Sequence, residues 1–423
     1  MIASAFRILL HHPAVQALLA AAEGTAVAEC HLVGGVLRDR ALGLPVHDVD
    51  AVVAGRGREI AERLAAAMPA RLVLLGGKEF AAYRLVGQDV EIDLWDRAGT
   101  TLHQDLERRD FTVNSFALDA RTGELTDPFG GIADLERRLL RATTAESFTG
   151  DPLRVLRLPR LLLRLPGFAA DPETLILARG SSARLPDVAA ERVRDELAQL
   201  FDHPEAHRGL ALLVALDLYP GLWLGSPGEP GRSEGAVAEL EALAGRVRDL
   251  REIDTAAADA AVAAVAIDAR AARLAATFAH LPAPLESLER FRDTGYLTRQ
   301  HAAEVARLLE TAELPADELG RRRFLHRTGA LWATAAVSLG ARAGTENIEA
   351  WRTRLRPLVE LVRREGEPLF DPPRLVTGAE VQELLGIAPG PEVGRALAAV
   401  RQGQIDGTVR TREEALAVVR RSP

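Results

Sequence analysis

The sequence has almost no cysteine and almost no lysine. Cys30 is the only cysteine in 423 residues, which excludes an internal disulfide, and ten scattered histidines offer no ligand set for a structural zinc site. Any catalytic metal must therefore rest on carboxylates. Lys78 is the only lysine among 52 basic residues, so positive charge is carried by guanidinium groups. No run of about 18 apolar residues is present, which removes the usual signature of a membrane helix. The apolar N-terminus is broken by His11, His12 and Pro13 before any small-residue cleavage site. That pattern argues against a secretory leader, and the expected location is cytoplasmic.

What is present is an ordinary globular composition, 48% hydrophobic and 26% charged, at a length suited to several domains. A net charge of −8 excludes a chain that coats nucleic acid over its whole surface. Local basic stretches remain. Arg137, Arg138, Arg141, Arg154, Arg157, Arg160 and Arg164 face only Glu146 and Asp151 in the same segment; Arg321, Arg322, Arg323 and Arg327 form a second stretch, and Arg352, Arg354, Arg356, Arg363 and Arg364 a third. The plain reading of each scattered arginine is a solvated helix face.

The first third of the chain mixes two periods. Glu29 to Leu32, Val49 to Ala54, Leu72 to Leu75, Ala81 to Val86 and Val90 to Leu94 read as short strands, separated by helical patterns at Val36 to Leu42 and Arg58 to Ala67. After Asp134 the spacing is helical almost throughout, which predicts an all-helical remainder. The stretch Gly225 to Gly235 has a flexible composition and is the best internal boundary, Ala256 to Ala276 reads as a packed helix pair, and short helix-turn units follow Pro372–Pro373.

Five constellations carry chemistry. The first, His31-Leu-Val-Gly-Gly-Val-Leu-Arg-Asp39, places Gly34 and Gly35 between a strand and a helix bearing Arg38, an arrangement that lets backbone amides and a guanidinium approach phosphate. An isolated Gly-Gly pair is more often a tight turn. Next, Asp48 and Asp50 in His47-Asp-Val-Asp-Ala-Val-Val53 are two residues apart on a strand, so both carboxylates share a face and can converge on a divalent ion that a nucleoside triphosphate would complete. Asp93, in Val90-Glu-Ile-Asp-Leu94, supplies a third acid if its strand lies alongside, with Glu91 on the same face as the alternative. In Glu107-Arg-Arg-Asp-Phe-Thr-Val-Asn-Ser-Phe116, Arg109 is suited to ribose or triphosphate and Asp110 and Asn114 to orienting it around a helix start; a salt-bridged cap is the plain alternative. Finally, Asp151, Arg154, Arg157 and Arg160 recur every three residues and would form one polar helix stripe. An aspartate acceptor beside an arginine donor complements the edges of cytosine and adenine and opposes those of guanine and uracil.

The order of these motifs resembles the class II tRNA nucleotidyltransferases (CCA-adding enzymes) and bacterial poly(A) polymerases, a branch of the polymerase-β-like nucleotidyltransferase superfamily. The resemblance rests on LVGGVLRD, HDVDAVV, DLERRDFTVNSFALD, DPFGGIADLERRLLR, GDPLRVLRLPR and Glu191-Arg-Val-Arg-Asp-Glu-Leu197, nearly continuous from His31 to Leu200, with a similar tail beginning at LVTGAEVQELLG. It implies an α+β fold: a head with a mixed sheet over residues 1–142, then an all-α neck (143–205), body (206–370) and tail (371–423). It further implies magnesium on Asp48 and Asp50, triphosphate and ribose at Gly35, Arg38 and Arg109, the base at Asp151 and Arg154, and phosphate contacts at Arg157 and Arg160. The implied partners are CTP, ATP and the tRNA 3′ end, with no membrane and no obligate protein partner. A poly(A) polymerase would share every head motif, and a catalytically silent RNA-binding protein on the same scaffold would lack magnesium binding. Four departures from the family pattern stand out: Gly150 replaces a frequent Glu, Pro159 falls inside the base-reading helix and predicts a kink near Arg160, Ser115-Phe116 replaces a smaller pair, and only Leu94 to Gln104 separates the third acid from the following motif. In the family a longer segment there accompanies switching from CTP to ATP, so its shortness points toward addition of the two cytidines alone or another divided activity.

Overall fold

A computed structural model describes residues 2–25, 29–46, 48–75, 82–87, 91–97, 99–218, 232–255, 268–281, 283–343 and 348–421. The chain divides into two compact units, 1–189 and 190–423. His47 and most of Gly225 to Gly235 lie outside the described residues, while 232–235 already belong to the helix Arg232–Thr255. Of Ala256 to Ala276, the described part lies in one helix, Ala269–Ala279.

The first unit is built on a seven-stranded sheet. Its strands are β1 (Cys30–Val33), β2 (Asp48–Val53), β3 (Arg71–Leu75), β4 (Ala82–Val86), β5 (Glu91–Asp96), β6 (Ala117–Asp119) and β7 (Leu125–Thr126), ordered β3-β4-β5-β2-β1-β6-β7. All pairings are antiparallel except β2 with β5, so the sheet is mixed as expected. Val49, Ala51, Val52 and Val53 on β2 and Leu32 and Val33 on β1 are fully buried, which accounts for their near-continuous apolar character. The strands β6 and β7 lack a sequence signal because they are only three and two residues long.

Helices Ile2–Leu10 and Pro13–Ala22 pack on this unit, and the break at His11–His12–Pro13 is the turn between them. The His12 ring accepts a hydrogen bond from the Ala14 amide at 3.3 Å, and Pro13 occupies the first turn, where its missing N–H costs nothing. The region after Asp134 is not wholly helical: β8 (Leu139–Leu140) and β9 (Ala169–Ala170) pair in parallel across the helix Arg154–Arg164. That helix runs continuously through Pro159, which lies in its middle and is buried.

Among its described residues the second unit is all-α. Its final segment packs helices Gly378–Leu385, Pro391–Asp406 and Arg412–Arg421 around Val381, Val400, Ala415 and Val419. Thr377 and Glu380 form a capping box at the first of these helices. Many arginines of the second and third basic stretches are neutralised here: Arg322 pairs with Glu365, Arg323 with Asp406, Arg354 with Glu313 and Arg364 with Glu318. No helix among the described residues is long and apolar enough to cross a membrane.

Candidate active site

The parallel register of β2 and β5 sets Asp48 opposite Glu91 and Asp50 opposite Asp93, so four acids share one face at the middle of the sheet. The candidates Glu91 and Asp93 are distinguished by a residue that sequence reasoning missed. Arg84, opposite Asp93 on β4, clamps both Asp93 oxygens at 2.8 and 2.6 Å and stands 3.9 Å from Glu91. Its only sequence signal is being the one charged residue of an apolar strand.

Asp50 is a strongly perturbed acid of this face. Burial pushes its carboxyl up to about 6; Arg109 and the Gly35 amide oppose the rise, and Asp93 and Asp48 add to it. The Gly35 N–H therefore serves Asp50 in addition to shaping the turn. Gly34 has φ +74° and ψ −144°, a backbone region open almost only to glycine, and a Cβ there would lie 2.9 Å from Asp50 Oδ2 and 3.2 Å from an Arg109 nitrogen. Arg109 is itself anchored by Asp105 at 2.9 Å. Gly34, Asp50 and Arg109 are thus brought together as the sequence suggested.

Among the described residues no group of three or more His, Cys, Asp or Glu side chains is placed to hold a metal ion. Asp48 and Asp50 nonetheless fit a divalent cation, because they stand on one face of β2 opposite Glu91 and Asp93 and offer the hard carboxylate oxygens such an ion takes.

Arg108, Arg109 and Asp110 follow the end of the helix Leu102–Glu107 and precede a single 3₁₀ turn, Thr112–Asn114, so the motif closes a helix where a helix start was expected. Arg38 is buried, donating from Nε to Asp39 at 2.8 Å and from Nη1 to Asn114 at 2.7 Å. Asn114 in turn donates to Asp110 at 2.9 Å, and Arg157 pairs with Asp110 at 3.0 Å. Burial alone would raise the Asp110 carboxyl, but Arg157, Asn114 and the Phe111 amide hold it down at about 2.

Asp151 does not share the helix stripe. It has extended backbone between the short helix Ser147–Gly150 and the helix Arg154–Arg164, and accepts from the Leu153 amide at 3.3 Å. Arg154 turns onto the carbonyls of Ser147, Arg109 and Arg108. Arg160 lies one turn beyond Arg157 on that helix. No heavy atom outside the adjoining residues lies within 4 Å of a Cβ built on Gly150, so the absence of a larger side chain there leaves open space. By contrast, a Cβ at Gly131 would meet the Thr112 carbonyl at 2.1 Å, and Asp127 caps Gly131 and Ile132; the DPFGG segment is a structural brace.

A mixed sheet whose middle strand carries paired aspartates against a glycine turn defines a nucleotidyltransferase head. Residues 30–141 match the model of the poly A polymerase head domain, and residues 167–223 match a probable RNA and SrmB-binding site of polymerase A. The chain is 33% identical to the A-adding tRNA nucleotidyltransferase of Deinococcus radiodurans, over 92% of this chain and 94% of that one. It is 32% identical to the CC-adding tRNA nucleotidyltransferase of Geobacter sulfurreducens, over 90% and 89%. Its fold is similar to that of the Bacillus stearothermophilus CCA-adding enzyme in complex with CTP, with a TM-score of 0.69, 23% identity and coverage of 97% and 98%. The chain belongs to the tRNA nucleotidyltransferase and poly(A) polymerase family.

Proposed function

We propose that this protein is a tRNA nucleotidyltransferase that adds C, A or both to the tRNA 3′ end from CTP or ATP without a nucleic acid template, releasing pyrophosphate. The observation that carries the reading is the pairing of Asp48 and Asp50 on β2 against the Gly34–Gly35 turn, with Arg109 over the same spot. The 3′ hydroxyl attacks the α-phosphorus, forming the new phosphodiester bond as the bond to pyrophosphate breaks. Magnesium held by Asp48 and Asp50 would supply Lewis-acid activation of that hydroxyl and screen the triphosphate. Arg109 is assigned to the triphosphate or ribose. Asp151 and Arg154 are assigned to the base, which requires Arg154 to exchange its backbone carbonyl partners for a nucleotide edge. In the same reading Arg38 belongs to the triphosphate, Asp110 and Asn114 orient the nucleotide, and Arg157 and Arg160 add phosphate contacts. The division into head, neck, body and tail at 142, 205 and 370, and a cytoplasmic location, belong to the same reading.

The short connection from Leu94 to Gln104 and the near full-length similarity to relatives with divided activities favour a specialised enzyme over complete CCA addition. The test is incorporation with magnesium on tRNA transcripts ending before the tail, after one C and after two Cs, each offered CTP, ATP or both. Stopping after the second C marks a CC-adding enzyme, and extension of the third transcript by ATP alone marks an A-adding one. Completion of all three gives full CCA addition. Long adenylate tails on an unrelated RNA would replace the reading with poly(A) polymerase.

A further inference from the structure

Six polar side chains of the first unit form a ring with a use of its own. Asp39 accepts from Arg38 Nε through Oδ1 at 2.8 Å and from Arg164 Nη2 through Oδ2 at 2.7 Å. Arg38 donates onward to Asn114 at 2.7 Å, Asn114 to Asp110 at 2.9 Å, and Asp110 pairs with Arg157 at 3.0 Å. Arg157 and Arg164 are seven residues apart on the helix Arg154–Arg164, two turns and therefore one face, so the helix itself closes the ring. Arg38, Asp39, Asp110 and Asn114 are all buried.

Buried charges of this kind are costly to assemble and more costly to leave unpaired, so they contribute little net stability and a great deal of geometric definition. The ring grips the helix at two points and ties both to the short helix Gly35–Ala41 that follows the glycine turn. Asp39 is the one member that touches both sides directly.

We infer that Asp39 and Arg164 are positioning residues that fix the Arg154–Arg164 helix against the Gly34–Gly35 turn, so that base selection depends on a pair that touches neither base nor phosphate. The inference rests on the function proposed above. Guanidinium chemistry suits the role, because a forked donor fixes direction where an ammonium supplies only charge.

The experiment compares wild type with Arg164→Leu and Arg164→Lys. Arg164 is half-exposed and Asp39 keeps Arg38 as a partner, so the substitution strands no buried charge. Arg164→Leu is expected to lower kcat/KM for the accepted nucleotide and to raise misincorporation of UTP or GTP relative to it by about tenfold, with Arg164→Lys only partly restoring discrimination. Unchanged discrimination together with a lowered melting temperature would reduce the ring to a structural brace and overturn the inference. If wild type transfers nothing to tRNA, the functional reading falls, and amide hydrogen exchange decides the positioning role. Faster exchange across residues 154–164 in Arg164→Leu supports it; identical exchange removes it.

Discussion

A Cβ on Gly34 would stand 2.9 Å from the Oδ2 of Asp50, so the glycine turn and the buried acid occupy adjoining space that no larger residue can share. The same turn needs positive φ, which makes Gly34 a steric and a conformational requirement at once.

Gly34→Ala therefore displaces either Asp50 or the turn. Transfer is expected to fall about a hundredfold, the scale of a misplacement near 1 Å in an active site. Stability should drop by about 1–3 kcal/mol from backbone strain. Incorporation assays and denaturant titration check the two effects separately.

Asp48→Asn and Asp50→Asn should each abolish nucleotide transfer, on the order of a thousandfold if several kcal/mol of transition-state stabilisation is lost. The fold should survive, since Asp50→Asn removes a buried negative charge crowded by Asp48 and Asp93. Circular dichroism with the transfer assay checks this; a variant turning over at the wild-type rate removes that acid from the reaction.

Asp110 gives a pH dependence with a definite sign. Its carboxyl is held at about 2 against an ordinary value of 3.8, so its stabilising contribution is complete above 3.8 and lost as pH falls toward 2. The contribution is about 2 kcal/mol. Denaturation midpoints of wild type and Asp110→Asn should differ at neutral pH and converge as the solution is acidified through that window. A constant gap would contradict the assignment.

Cys30 lies fully buried on β1, and burial pushes its thiol up to about 12. The native protein should resist a thiol-reactive reagent at pH 8, whereas the denatured chain should take up one equivalent, read by mass spectrometry. Rapid native labelling would show that the sheet opens around β1.

The parts of the fold legible in the sequence were those written locally. β1 to β5 follow apolar runs bounded by turns, and Gly34, Asp50 and Arg109 met as their motif order suggested. Pairing between distant segments was not legible. Asp39 and Arg164 are 125 residues apart, and nothing local marks Arg84 as the partner of Asp93. The stripe of Asp151, Arg154, Arg157 and Arg160 was legible only in part: spacing of three fits a helix and the three arginines lie on one, but the helix begins at Arg154 and leaves Asp151 outside it, while Arg154 and Arg157 turn onto partners within the protein. The basic stretches likewise read as solvated helix faces because their acidic partners, such as Asp406 for Arg323, lie far along the chain.

Three strands flank β2 on either side, and this bears on how the protein ages and wears. Fraying begins at sheet edges, where a strand has one neighbour to lose, while releasing β2 requires two ladders to part together. Partial damage by heat, proteolysis or mild denaturant should therefore erode the rim of the sheet before it disturbs the acids. Loss of catalytic competence should track collapse of the whole head, so a residually active population would consist of intact molecules and not of half-open ones.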